Sequence, residues 1–192
     1  MRAGAGLRIP PIRRASREGR LPLSFAQQRL WFIDQLEPGG AMYNIPLALR
    51  VRGGLRRELV EQVLGEVVRR HEALRTRFEV TDGEPAQVID EAMPVVIPVI
   101  DLSGLDEKWR AQEVSRIVVE EAAGSFDLSH GPLIRTGLIR LEEQEQIMLL
   151  TMHHIVSDGW SMGVLIREVS AFYAAYSKGE ASPLAGLAVQ YP

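Results

Sequence analysis

The sequence predicts an α+β domain in which helices pack on a mixed or antiparallel sheet. Two observations predict it. Apolar residues recur with helical period in some segments and alternate with period two in others, and pairs of strand-period segments are joined by turns too short to hold a crossover helix. The 192 residues, 46% hydrophobic and 24% charged, supply one full core, which fits one domain or one large piece of a bigger one.

Residues 1–20 hold six Arg and one Glu among Gly and Pro, without apolar periodicity, and read as a flexible basic linker. Ser24 then caps a helix that begins at Phe25 and is stopped by Pro38-Gly39-Gly40. Leu47, Leu49 and Val51 alternate with Ala48, Arg50 and Arg52 in a half-buried strand ended by Gly53-Gly54. Between Arg56 and His71, the residues Val60, Leu64, Val67, Val68 and His71 form the stripe of an amphipathic helix. Thr76, Phe78 and Val80 alternate with charged neighbours, and Asp82-Gly83 turns that strand into a second near Ala86–Ile89. Val95–Ile100 is a short apolar strand candidate, and residues 106–123 form a helix with Val114, Ile117, Val118 and Ala122 inward. An acidic turn at Glu142–Glu145 separates strands over Leu133–Leu141 and Gln146–Met152. The last helix follows Asp158-Gly159, places Met162, Leu165, Ile166, Val169, Phe172, Tyr173 and Tyr176 on one face, and ends near Lys178-Gly179.

Beyond the linker the chain carries 16 basic and 24 acidic side chains, net −8, which argues against nucleic acid as a partner. No apolar run approaches the ~18–20 residues of a membrane span, and arginines stand where a secretory signal has its apolar stretch, so a cytoplasmic protein is expected. With no cysteine, thiol nucleophiles, thiolate metal sites and disulfides are excluded together.

The chemistry concentrates in Met152-His153-His154-Ile155-Val156-Ser157-Asp158-Gly159-Trp160-Ser161, between an apolar strand and a helix start. Adjacent strand residues point to opposite faces, so one histidine faces a cavity while the other faces the core. The helix after Gly159 offers unpaired N–H groups and a positive dipole end to a developing oxyanion. Asp158 can also cap that helix and Gly159 ease its turn. Zinc on His153, His154 and Asp158 is geometrically poor because neighbouring strand histidines diverge, and no metal is expected. A Ser157–His154–Asp158 triad fails because one turn cannot align a base between nucleophile and acid.

HHIVSDG resembles the HHxxxDG signature of condensation domains of nonribosomal peptide synthetases, relatives of chloramphenicol acetyltransferase. Ser24-Phe25-Ala26-Gln27-Gln28-Arg29-Leu30-Trp31 resembles that family's first motif, and Arg70-His71-Glu72-Ala73-Leu74-Arg75-Thr76-Arg77-Phe78 its second. Leu187-Ala188-Val189-Gln190-Tyr191-Pro192 resembles the start of a further one. The resemblance implies a chloramphenicol acetyltransferase-like lobe, an α/β sandwich, with residues 21–192 forming the N-terminal lobe and the C-terminal lobe absent. It implies that His154 faces a tunnel and handles the attacking amine, as general base or as positioning group, while His153 packs inward. Asp158 would shape the loop through an ion pair with Arg29, Arg75 or an arginine of the other lobe, and the Gly159 N–H would receive the oxyanion. Arg70 and Arg75 would support the site from the helix end.

The implied reaction is peptide-bond formation: a carrier-bound aminoacyl or peptidyl thioester is attacked by the amine of a carrier-bound aminoacyl group. The chain itself would bind no cofactor, because phosphopantetheine belongs to the partner peptidyl carrier proteins upstream and downstream. The other implied partners are the C-terminal lobe and an adenylation domain. An epimerisation domain shares the signature, a non-catalytic carrier-docking lobe is the alternative of another class, and the lone lobe is expected to be inactive.

Overall fold

A computed structural model describes residue 17 and residues 19–191, so most of the predicted linker lies outside the described residues. The elements in chain order are β1 (Leu21–Pro22), α1 (Phe25–Leu36), β2 (Asn44–Arg52), α2 (Arg57–Arg70), β3 (Thr76–Thr81), β4 (Glu84–Ile89), β5 (Val99–Asp101), α3 (Glu107–Ala123), β6 (Ile134–Glu142), β7 (Glu145–His153) and α4 (Gly159–Tyr176). The predicted α+β class holds, with its strands divided between two sheets. One has the order β1-β4-β3, and the other β2-β7-β6-β5. The second sheet is mixed: β2–β7 and β6–β7 are antiparallel, whereas β5 joins β6 in parallel.

Local chemistry accounts for the element ends. Ser24 opens α1 with a full capping box: its Oγ accepts from Gln27 N at 3.3 Å, while Gln27 Oε1 accepts from Ser24 N at 2.8 Å. Asp82 and Gly83 both take positive φ, 54° and 79°, as a two-residue turn between antiparallel strands requires. The strand predicted at Val95–Ile100 is corrected to Val99–Asp101. Pro94 and Pro98 bring no N–H to a ladder, so the preceding stretch is irregular and only three residues pair with β6. Ile97 is nevertheless buried, and its N–H donates to Glu61 on α2.

β7 sits at the centre of the larger sheet and sorts its side chains by period two. Leu150 and Met152 join Val63 and Val67 of α2 and Phe172 of α4, and Met148 packs against Val60 and Leu64, all on one face. Ile147 and Leu149 join Ile117 of α3 on the other. The result is a sandwich with α2 and α4 on one side and α3 on the other.

In α4 the predicted apolar face needs one correction: Ile166 is half exposed and Glu168 is buried. From the predicted linker, Arg17 bonds the Glu72 carboxylate at 2.5 and 2.7 Å, and Arg20 pairs with Glu84. Near the other end, Gln190 donates to Arg70 O and accepts from Glu72 N. Among the described residues no helix is long and apolar enough to cross a membrane.

Candidate active site

β7 determines where the two histidines go. His153 continues the Ile147, Leu149, Thr151 face and is 3% exposed. The next residue takes the opposite face: His154 is exposed and lines a cavity of about 620 Å³ between α1, the α2 end and the first turns of α4. That volume suits a small-molecule arm or an aminoacyl group. The His154 N–H extends the β2–β7 ladder by one bond, to Tyr43 O at 2.8 Å, so the catalytic candidate stands on a fixed backbone.

His153 is held within the core side of the turn. Its Nδ1 accepts from Ile155 N at 3.1 Å, which leaves the proton on Nε2 in the neutral ring, and the edge of Phe126 meets it at 6.1 Å between ring centroids. Arg135 lies 4.0 Å over the other partner of this contact, the Phe126 ring. Arg135 also donates to the carbonyls of Glu121, Gly124 and Ser125, closing the C-terminus of α3, and bonds the Glu121 carboxylate. A Cβ on Gly124 would stand 2.9 Å from that guanidinium.

Burial, and then the neighbouring His154 charge, push the His153 pKa down to about 4. The native state therefore keeps His153 neutral where the unfolded chain protonates it at about 6.5. Stability is complete above that value and is lost as pH falls from about 6.5 to about 4, by roughly 3 kcal/mol if the full shift is realised. Urea midpoints measured across this window are expected to fall for the parent and to stay flatter in His153→Gln. Equal slopes would remove His153 as the cause. The carboxylates held below their usual range, among them Asp127 and Glu66, act from about pH 5 downward, so the clean part of the His153 window lies above that pH.

Asp158 corrects an expectation. Its carboxylate is exposed, and neither Arg29 nor Arg75 reaches it among the described residues. It caps α4 instead: Oδ1 accepts from Ser161 N at 2.8 Å and from Ser161 Oγ at 2.7 Å. The Ser161 bonds, ahead of the Trp160 N–H and the His154 charge, hold its pKa below the usual carboxylate range. An exposed carboxylate keeps its water and needs no buried cation, which is the physical reason it stands without Arg29 or Arg75, and an arginine of the other lobe stays its expected partner. Because Asn caps as well as Asp, Asp158→Asn is expected to cost only the charge at the helix N-terminus, about 0.3–1 kcal/mol in urea unfolding. A loss of about 3 kcal/mol or more would restore the ion-pair reading.

Gly159 is the first residue of α4, and a Cβ built there meets no atom within 4 Å. Its N–H has no acceptor among the described residues. Arg29 is exposed on the cavity wall without an ion-pair partner among the described residues. Arg70 and Arg75 do not line the cavity. Arg70 Nε bonds Glu168 at 3.0 Å and its other arm reaches Ala185 O, whereas Arg75 bonds Asp90 O at 2.5 Å and Glu72 at 3.5 Å.

Two cavity features were missed in the sequence. Trp160, 83% exposed, lines the cavity one residue past Gly159. His71 lines it too, with Nε2 2.7 Å from the buried Glu168 carboxylate. The signal for the second was an acidic residue at the helical spacing of Leu165 and Phe172. Among the described residues no group of three or more His, Cys, Asp or Glu could hold a metal ion.

The family model described as Condensation domain matches residues 17–191. A linear gramicidin synthase of Brevibacillus parabrevis is 49% identical over 180 residues, covering 94% of this chain and 2% of the relative's length. Among solved structures, the first condensation domain of the CDA synthetase aligns with TM-score 0.77 and 27% identity, over 88% of this chain and 43% of that one. The X-domain of teicoplanin biosynthesis, solved in complex with OxyB, aligns with TM-score 0.83 and 30% identity, over 94% of this chain and 38% of that one.

Proposed function

Since the chain belongs to the condensation-domain family of nonribosomal peptide synthetases, we propose that residues 21–192 are the N-terminal lobe of such a domain and help form a peptide bond between two carrier-bound substrates. The donor is an aminoacyl or peptidyl thioester and the acceptor an aminoacyl amine, each on the phosphopantetheine arm of a peptidyl carrier protein. Further partners are a C-terminal lobe and an adenylation domain. One observation carries the reading: of two adjacent histidines, His153 is buried and neutral while His154 stands at an open cavity beside the start of α4.

The amine attacks the thioester carbonyl, the C–N bond forms, the C–S bond breaks, and the thiol leaves with the carrier. His154 takes or holds the amine proton. A free α-amino group has a pKa near ~8, so a useful fraction is already neutral at pH 7, and placement of the amine contributes alongside proton transfer. The oxygen of the attacked carbonyl gains charge next to the Gly159 N–H and the positive end of α4, where the missing Cβ leaves room for close approach. One lobe leaves this cavity open to water, so full activity is expected from the two-lobe domain.

Epimerisation would use the same signature, and RHEALRTRF favours condensation over it. A docking reading has one observation in its favour, the likeness to an X-domain solved in complex with OxyB. The readings part on His154: dipeptidyl thioester formed by the two-lobe domain from loaded carriers, and followed by intact-protein mass spectrometry, should depend on it. Absence of product in the parent domain would favour docking.

A further inference from the structure

The geometry points to His71 as a second hydrogen-bonding group of this cavity, set by Glu168 to accept an amide N–H of the substrate arm. This deepens the proposed function and rests on it for the identity of the arm.

α2 and α4 bring the pair together from 97 residues apart. Glu168 is 8% exposed, a costly place for a carboxylate, and it receives two donors: Arg70 Nε at 3.0 Å on one oxygen and His71 Nε2 at 2.7 Å on the other. Arg70 balances the carboxylate charge. Glu168 accepts through this oxygen, so Nε2 carries the proton and the neutral ring presents Nδ1 as an acceptor. Nδ1 has no partner among the described residues, and the His71 side chain is 24% exposed on the wall that also holds His154. The arrangement repeats a known economy of imidazole sites, in which a carboxylate fixes one nitrogen so that the other is aimed and basic.

With Nε2 taken by Glu168, Nδ1 is the open acceptor of the ring. The substrate chemistry supplies its complement, because a pantetheine arm carries two secondary amides, each with one N–H that leaves water on binding. An acceptor in the wall meets that need. His71 is thus a positioning residue for the arm, separate from His154 at the reacting centre.

The test uses the chain itself with pantetheine as the probe. Nitrogen-15 spectra of the histidine rings at pH 8 should show His71 Nδ1 unprotonated and moving on titration with pantetheine. His71→Gln keeps an N–H donor for Glu168 and moves the remaining acceptor, the amide oxygen, off the position that Nδ1 holds. It should unfold at the parental urea concentration but bind pantetheine about three- to tenfold more weakly. Parental affinity in His71→Gln, a protonated Nδ1 in the neutral ring, or pantetheine that leaves the His71 signal unmoved would each overturn the assignment. If His71→Gln fails to fold, the parental spectra decide alone. Loss of condensation bears on the reaction and not on this contact, so a chain that binds pantetheine through His71 in a domain that forms no peptide bond would sink the proposed function and leave this inference standing.

Discussion

Replacing His154 with alanine is expected to cut condensation by the two-lobe domain about 10²–10⁴-fold, the usual contribution of a positioned acid or base. The side chain is exposed and its backbone N–H bond to Tyr43 O is retained, so the unfolding midpoint should move by no more than about 0.5 kcal/mol. His153→Ala should do the reverse on stability. It empties a buried site against Tyr43 and Phe126 and strands the Ile155 N–H, at a cost of about 2–3 kcal/mol. Initial rates with loaded carriers, read beside urea curves of the same preparations, separate the two. Turnover at the parental rate by His154→Ala would remove it from the mechanism.

The largest loss of stability is expected from Phe172→Ala, about 3–5 kcal/mol in urea unfolding. Phe172 is fully buried where α4 meets α2, packed with Val63, Val67, Leu150 and Met152 and stacked on Tyr176 at 5.8 Å. Few side chains of that size can close the space an alanine would leave. Phe172→Leu, which keeps most of the volume, should cost under about 1.5 kcal/mol. A loss below about 1 kcal/mol for alanine would mean that α2 and α4 close over the gap. The same two helices carry His71 and Glu168, so loosening them should also blunt the cavity.

The elements were legible where one local rule dominates. The acidic turn at Glu142–Glu145 located β6 and β7, Asp82-Gly83 located the hairpin, and Ser24 and Asp106 stand where α1 and α3 begin. The divergence of His153 and His154 also follows from period two alone. Legibility ended where distant chain decides. Nothing near Glu168 says that Arg70 and His71 will make its burial tolerable, and nothing near Ile166 says that its turn faces solvent. Asp158 was read through the cost of a buried charge, and its exposure within this lobe removes that premise for Arg29 and Arg75. At β5 the apolar run was real, but two prolines kept its first half from pairing, and of that half only Ile97 is buried.

The Arg135 clamp couples two positions energetically. A Cβ at Gly124 would push the end of the Arg135 side chain aside, and a shorter side chain at 135 would take its donors from the carbonyls of Glu121 and Ser125, whereas Gly124 O keeps Asn44 Nδ2 at 2.7 Å. A change at either position is felt at the other, so Gly124→Ala and Arg135→Ala are expected to be non-additive in urea unfolding. Because the same guanidinium lies over Phe126, which meets His153 in a T-shaped contact, that coupling extends to the buried ring next to His154.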